Sequence, residues 1–180
     1  MLKQFVEWDA DLSERIRLQP GKKPWWPVAA FLAHSGDSWF WLAGLVIVWL
    51  VADGDWRRRA ATLAFSLTFE AVVVLGIKFV VRRRRPEGDW GTIYRATDPH
   101  SFPSGHAARA GLLAVMAVGM GPAWFGLLLM IWAPLVSLAR AVTGVHYVSD
   151  VLVGFVVGLV FGSIMLVVMP AVVPLVPFFF

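Results

Sequence analysis

The chain has 180 residues, of which 58% are hydrophobic and 16% are charged, and its mean hydropathy is +0.69. This composition excludes an ordinary soluble domain and indicates a single membrane-embedded helical domain over residues 1–180. The net charge of +4 does not indicate a nucleic-acid partner, because the basic residues flank hydrophobic segments where anionic lipid headgroups are the expected partners, and the lack of cysteine excludes disulfides and thiolate metal sites.

The N-terminal residues 1–23 predict an interfacial helix. Phe5, Leu12 and Ile16 recur among charged residues at helical spacing, which is typical of an amphipathic helix that lies flat on a membrane. We therefore expect this segment to rest on the membrane surface rather than to cross the bilayer.

The next apolar segment, residues 25–33, is too short to cross a hydrocarbon core that is about 30 Å thick. The polar sequence His-Ser-Gly-Asp at residues 34–37 ends it. We interpret residues 24–37 as a re-entrant or interfacial element. The alternative is a broken first span that continues to residue 53.

Longer apolar segments follow and predict an all-α, polytopic transmembrane helix bundle with five to six membrane segments. The Gly121-Pro122 pair marks a tight turn between two of the spans. Three prolines within residues 169–180 indicate an interfacial tail rather than another crossing. The five predicted spans cover about residues 38–53, 60–81, 105–120, 123–143 and 147–168.

Alternating span directions predict where distant residues meet. Every second connection opens on the same side of a membrane, so the 82–104 loop and the 144–146 turn share one side. Polar side chains border both connections and are expected to converge on a single site, namely Lys78, Arg85, His106, Arg140, His146 and Asp150.

Charged side chains are rare in the last 76 residues, where only Arg109, Arg140 and Asp150 carry formal charge beside two histidines. A charge within a membrane segment costs several kcal/mol, about 2.5 to 3.5 on insertion scales, so such groups usually face a polar cavity and serve a function. Glu70, inside the second span, is equally costly, and we expect it to form a structural hydrogen bond within the bundle.

Three segments carry the chemistry, namely residues 78–86, 103–106 and 140–150. They resemble the signature motifs of the type 2 phosphatidic acid phosphatase superfamily, which read Lys-x6-Arg-Pro, Pro-Ser-Gly-His and Ser-Arg-x5-His-x3-Asp. One departure is visible, because Ala139 stands where the third motif has serine. The resemblance implies an integral membrane lipid phosphatase.

The resemblance also implies a phosphohistidine at His146, which fits the nucleophilic chemistry of an oriented imidazole. Asp150, four residues later on the same helix face, can hold the His146 ring. His106 follows Ser104 and Gly105 at a helix start, where backbone N–H groups bind anions. It would protonate the leaving group, since an imidazole can act as acid and then as base near neutral pH.

Three cations complete the implied site, because Lys78, Arg85 and Arg140 would surround the nonbridging phosphate oxygens. Such a site needs neither a metal nor another cofactor. The arginines at 82–84 are assigned to lipid headgroups or to the outer phosphate of a diphosphate. Asp98 and His100, in the loop, are interpreted as solvated or gating residues.

Arg109 lies one turn after His106, on the same helix face. It is interpreted either as an additional substrate contact or as a member of a structural ion pair. The sequence of residues 103–110 resembles that of polyisoprenyl diphosphate phosphatases, in which an arginine also follows the histidine by three residues. This favours a polyprenyl diphosphate as the substrate.

Two questions of function and orientation stay open at this stage. The same site would serve a lipid phosphotransferase, and buried charges would also suit a lipid transporter or lipid-binding protein. The arginines at 57–59 lie opposite the catalytic side and, by the positive-inside rule, are expected in the cytoplasm. We therefore predict a multi-pass protein of the cell membrane whose active site faces the extracytoplasmic side.

Overall fold

The computed structural model describes residues 2–20, 24–88, 96 and 98–180, and the predicted all-α class is confirmed. Within this part of the chain the helices are α1 (Leu2–Ile16), α2 (Trp26–Ser35), α3 (Ser38–Val51), α4 (Gly54–Val81), α5 (Gly105–Met120), α6 (Ala123–Val142) and α7 (Val148–Val172), followed by a 3₁₀ helix (Val173–Leu175).

Three helical stretches are long and apolar enough to cross a membrane, namely α4, α6 and the continuous stretch Val148–Leu175. The short helices α2 and α3 form a further candidate span, bent by 53° at the break between them. Helix α5 is apolar but has only 16 residues. The described part of the chain thus has three candidate spans, or four with the bent pair, and the predicted five to six are not confirmed.

The last helix continues beyond its predicted end at residue 168. It passes through Pro170 and reaches Val172, because Met169 packs in the core and sustains the helix there. The final residues then turn back toward α3, where the indole Nε1 of Trp49 donates a hydrogen bond to the Phe179 carbonyl at 2.7 Å. Whether this tail lies at the membrane interface stays a prediction.

Helix α5 is the centre of the bundle and packs against α4, α6 and α7. Its residues Ala108 and Leu112 have no exposed surface, and glycines on α7 let the two backbones approach closely. A Cβ atom at Gly158 would lie 1.8 Å from the Ala108 carbonyl oxygen. This contact, together with the hydrogen bond from Ser104 N to Asp150 O at 2.9 Å, places the start of α5 against the start of α7.

The N-terminal segment forms the predicted helix α1, and it docks on α7 through polar side chains. Asp9 is only 1% exposed, and its carboxylate accepts a hydrogen bond from Ser149 N at 3.0 Å. Ser13 Oγ accepts one from Val148 N at 2.9 Å. Phe5 and Trp8 are exposed on the helix. The position of α1 on a membrane surface stays a prediction.

Candidate active site

The predicted site residues meet around one cavity of about 240 Å³ that is bordered by α4, α5, α6 and the turn before α7. Ser104 and Asp150 are fully buried behind its wall. Seven of the predicted residues line the cavity: Lys78, Arg85, Gly105, His106, Arg109, Arg140 and His146. The geometry thus brings together side chains that are up to 68 positions apart in the sequence.

His146 lies in the turn between α6 and α7 and is oriented by a backbone carbonyl. Its Nδ1 is 2.8 Å from the Ser101 oxygen, and because a carbonyl only accepts, Nδ1 carries the proton. The other nitrogen, Nε2, therefore has its lone pair, and the Arg85 Nη1 donates to it at 3.1 Å. In this tautomer Nε2 is the ring nitrogen with a lone pair, which is the chemical requirement for a nucleophile.

Asp150 acts on His146 at longer range than a hydrogen bond, since its Oδ2 lies 3.8 Å from the imidazole Nδ1. Its closer partners are Tyr147 N, which donates to Oδ2 at 2.9 Å, and Arg83 Nη1, which donates to Oδ1 at 2.7 Å. Arg83 is predicted to contact lipid headgroups, but it instead links Asp150 to Asp9 of α1. The Arg83 Nη2 donates to Asp9 Oδ2 at 2.7 Å. Asp150 thus links the start of α7 to α1 beside the imidazole.

The two cations of the first motif share a carboxylate. Lys78 Nζ lies 2.6 Å and Arg85 Nη2 lies 2.8 Å from the same Asp98 oxygen, so Asp98 is more than a solvated loop residue. Arg85 also donates to the carbonyls of Asp98 and Val145. These contacts hold both cations at the cavity wall, where phosphate oxygens can compete for them.

Arg140 and His106 complete the charged wall. The Arg140 side chain, near the end of α6, has no exposed surface, and its positive charge acts on the imidazoles of both His106 and His146. His106 is in the first turn of α5, and its Nε2 lies 2.6 Å from Asp37 Oδ1. Ser104 caps α5 through its side chain, which accepts from Ala107 N, so its contribution is to the helix start rather than to the cavity surface.

Arg109 and Glu70 lie on the inner side of the cavity, toward the middle of the bundle. Arg109 donates a short hydrogen bond to the Gly36 carbonyl, which ties α5 to the turn before α3. Glu70 is 1% exposed, and its carboxylate oxygens make no hydrogen bond within the described residues. The structural hydrogen bond expected for Glu70 is therefore not found in this part of the chain.

Burial lowers the pKa of His146 well below its ordinary value of 6.5. The positive charges of Arg85, Arg140 and Lys78 act in the same direction. Both causes disfavour the imidazolium, so the ring stays neutral as the pH falls through 6.5.

Several contacts in this site have no motif that could have revealed them. Ser101, Asp98 and Arg83 lie near the motifs but outside their defined positions, and Asp9 and Asp37 are distant in sequence. The one available signal for Asp37 was a polar turn between two apolar segments. Within residues 2–20, 24–88, 96 and 98–180, no three His, Asp or Glu side chains are grouped so as to hold a metal ion.

An apolar groove of about 240 Å³ adjoins the charged cavity and shares Ser38, Ala71, Leu75 and Arg109 with it. Its remaining lining comes from α3 and α4 and includes Leu42, Leu67 and Val72. A charged cavity that continues into an apolar groove suits an amphipathic molecule with an anionic headgroup.

Known proteins are similar to this chain in sequence. The sequence profile of the PAP2 superfamily matches residues 59–174. Over 137 residues the chain is 36% identical to the decaprenylphosphoryl-5-phosphoribose phosphatase of Mycobacterium tuberculosis, a match that covers 74% of each protein. Over 134 residues it is 31% identical to the undecaprenyl-diphosphatase of Sulfolobus acidocaldarius, covering 71% of this chain and 63% of that protein. The chain thus spans less than two thirds of the Sulfolobus protein's length.

The fold is also similar to a solved structure. A transmembrane PAP2 type phosphatidylglycerolphosphate phosphatase from Bacillus subtilis superposes with a TM-score of 0.71, over 90% of this chain and 84% of that one. The two sequences are 24% identical, so this likeness concerns the fold alone. It agrees with the helical, multi-pass membrane architecture described above.

Proposed function

Because the chain belongs to the PAP2 superfamily, we propose that it is a membrane lipid phosphatase that hydrolyses a lipid phosphomonoester or diphosphate through a phosphohistidine at His146. The observation that carries the proposal is the His146 ring itself. Its Nδ1 donates to the Ser101 carbonyl, and its Nε2 points to Arg85 at the wall of a cationic cavity. A neutral nucleophile is thereby presented to a phosphate that the cavity attracts.

In the first step, the His146 Nε2 attacks phosphorus while the bond from phosphorus to the leaving oxygen breaks. His106 gives its proton to that oxygen, so the lipid alcohol or lipid phosphate leaves with its new oxygen terminus protonated. The covalent product is a phosphohistidine, which divides one difficult displacement into two easier ones.

In the second step, water enters the space that the leaving group vacated and attacks phosphorus. His106, now neutral, takes a proton from this water as the bond from phosphorus to Nε2 breaks. Inorganic phosphate leaves, and both histidines return to their starting states. Lys78, Arg85 and Arg140 stabilise the charge on the nonbridging oxygens throughout, and the proposed reaction needs no metal or other cofactor.

The proposed substrate is a lipid because the charged cavity continues into the apolar groove between α3 and α4. A lipid tail can stay in that groove while its phosphate reaches His146. A polyprenyl diphosphate is favoured, because the names of both reported relatives contain a polyprenyl group and the Sulfolobus relative is named as a diphosphatase. Arg109, at the junction of cavity and groove, would then contact the second phosphate.

The proposed arrangement in the cell membrane has five crossings, with α1 at the interface and the bent pair of α2 and α3 counted as one element. Arg57, Arg58 and Arg59 at the start of α4 lie at the opposite end of that helix from Lys78. The positive-inside rule therefore supports an extracytoplasmic active site. A membrane-impermeant inhibitor should block turnover in intact cells, and unimpaired turnover would reverse this orientation.

Phosphate release from purified protein in detergent tests the function directly. The panel is undecaprenyl diphosphate, phosphatidylglycerophosphate, phosphatidic acid and a lipid A phosphate, each with and without EDTA. We expect release from at least one lipid, fastest from the diphosphate and unchanged by EDTA. Loss of release with EDTA would contradict the metal-free mechanism, and phosphate transfer to an added lipid alcohol without release would indicate a phosphotransferase.

The pH dependence of kcat/KM follows from the lowered pKa of His146. An imidazole with a lowered pKa stays neutral as the pH falls through 6.5, so activity persists there and declines only in more acidic solution. After correction for the ionisation of the substrate, we expect the acid limb of the kcat/KM profile to lie below pH 6.5. Replacing Arg85 with methionine removes one positive charge that opposes the His146 imidazolium, so the acid limb should move to higher pH. An acid limb that does not move would show that it does not report the ionisation of His146.

A further inference from the structure

Of the two histidines in the cavity, His106 has the closer contact with a carboxylate. Asp37 Oδ1 lies 2.6 Å from His106 Nε2, whereas Asp150 Oδ2 lies 3.8 Å from His146 Nδ1. On the basis of the proposed function, we propose that Asp37 is a positioning residue for the general acid: it holds His106 with a proton on Nε2 and presents Nδ1 to the leaving oxygen.

The turn that carries Asp37 is built into the bundle. Two tryptophans form hydrogen bonds with Ser35. Trp41 Nε1 donates to its carbonyl and Trp132 Nε1 donates to its hydroxyl, both at 3.0 Å. Arg109 donates to the next carbonyl, that of Gly36. These bonds come from α3, α6 and α5, so three elements fix the turn that precedes α3.

Close packing sets the distance between this turn and the imidazole. A Cβ atom at Gly36 would lie 3.3 Å from His106 Cδ2 and 2.8 Å from Val136 Cγ1, so only glycine lets the backbone lie against the ring. The side chains of Asp37 and His106 are 13% and 14% exposed, which reduces the competition of water for their contact. The approach is therefore a property of the fold rather than of a surface side chain.

His106 is held by a carboxylate and His146 by a backbone carbonyl, and this difference matches their proposed roles as general acid and nucleophile. A carboxylate accepts hydrogen bonds and carries negative charge, so Asp37 stabilises a protonated His106 that can donate to the leaving group. The Ser101 carbonyl only fixes the tautomer of His146, and the adjacent Arg85 disfavours a second proton there. The Asp37 carboxylate thereby favours a proton on His106, whereas the Arg85 guanidinium disfavours a second proton on His146.

Asp37 also offsets unfavourable charge around His106. Arg140 and Arg109 line the same cavity, and their positive charges oppose an imidazolium. The second Asp37 oxygen, Oδ2, is held by His34 Nδ1 at 3.2 Å, and the His34 side chain is 49% exposed. This contact fixes the carboxylate so that Oδ1 faces His106 through both steps of the reaction.

Leaving-group dependence tests this role, because a general acid matters most when the leaving oxygen is basic. The full-length protein in detergent is assayed with dodecyl phosphate, which releases an alkoxide, and with 4-nitrophenyl phosphate, which releases a stable phenolate. Asp37→Asn should lower kcat/KM, which reports the first step alone, about 100-fold for dodecyl phosphate and less than about 10-fold for 4-nitrophenyl phosphate. The Ki of inorganic phosphate should stay unchanged, which reports an intact phosphate site and fold.

A double-mutant comparison shows whether Asp37 acts through His106. His106→Asn should reproduce the same dependence of kcat/KM on the leaving group, and adding Asp37→Asn to it should lower kcat/KM little further. Asp53→Asn is the matched control, because Asp53 occupies the equivalent position before α4 but is exposed. It should leave both substrates unaffected.

The outcomes separate this role from the phosphatase itself. Equal losses on both substrates, losses that multiply in the double variant, or a faster Asp37→Asn enzyme would each overturn the assignment, the last by indicating that Asp37 competes with the substrate. In all three cases the wild-type protein still releases phosphate, so the proposed function stands. Absence of release by the wild type from any lipid or aryl phosphate would overturn both.

Discussion

Replacement of His146 with asparagine is expected to reduce phosphate release to near background, a loss of at least ~10⁴-fold in kcat. Asparagine can still donate to the Ser101 carbonyl, which His146 Nδ1 contacts at 2.8 Å, so the local fold should persist. It has no lone-pair nitrogen in the place of Nε2, so no phosphoenzyme can form. The measurement is phosphate release at saturating lipid, with protein amount and monodispersity matched in detergent.

The matched control is His100→Asn. His100 is half-buried near the site, and its ring contacts Phe79, while its backbone carbonyl accepts from Lys78 and is untouched by the substitution. We expect less than about a threefold change in kcat, within the range of a surface substitution. A His146→Asn enzyme that keeps a tenth of the wild-type rate would contradict nucleophilic catalysis, and lipid movement that survives the substitution would support the transporter alternative.

Trapping the intermediate gives an independent readout of the same residue. The His106→Asn enzyme, given ³²P-labelled 4-nitrophenyl phosphate, can complete the first step because phenolate leaves without a proton. Its second step lacks the base that activates water, so acid-labile, base-stable radiolabel should accumulate on the protein. The label should be absent from the double variant that also lacks His146.

The convergence of the motif residues could be predicted from the sequence, because it follows from the alternation of span directions. Lys78 lies in the last turn of α4, His106 lies in the first turn of α5 and His146 precedes α7, and all three line one cavity. Residue spacing and side-chain chemistry suffice for such an inference. Tertiary docking of short segments leaves no comparable periodic signal, so the contacts of Asp37 with His106 and of Asp9 with Arg83 could not be predicted.

The span count shows a second limit of sequence reasoning. The apolar residues of helix α5 predict a span, and its length of only 16 residues leaves that prediction unconfirmed. Surrounding helices cover it, and Leu112, Leu113 and Met116 have no exposed surface. A helix buried by protein and one buried by lipid have the same hydrophobic composition, so hydropathy alone does not distinguish them.

Replacement of Arg140 is expected to have the second-largest effect. Its guanidinium is fully buried and lines the cavity with both histidines. The preceding residue, Ala139, lacks the serine hydroxyl of the related motif. The planar guanidinium has five donors that match the oxygens of the phosphoryl group in the transition state, and lysine does not reproduce this geometry. We therefore expect Arg140→Lys to lower kcat about 10²-fold and Arg140→Met about 10³-fold.

The kcat and KM of the variants separate a role of Arg140 in the transition state from a role in ground-state binding. The loss should fall mainly on kcat, because Lys78 and Arg85 still attract the substrate phosphate and maintain KM. Arg57→Lys is the control, since Arg57 is exposed and stacks over Trp49 at 5.0 Å, at the opposite end of α4 from Lys78. It should leave kcat within about threefold of the wild-type value. An Arg140→Lys enzyme with full kcat and a raised KM would show instead that Arg140 serves ground-state binding, leaving Lys78 and Arg85 to stabilise the transferring phosphoryl group.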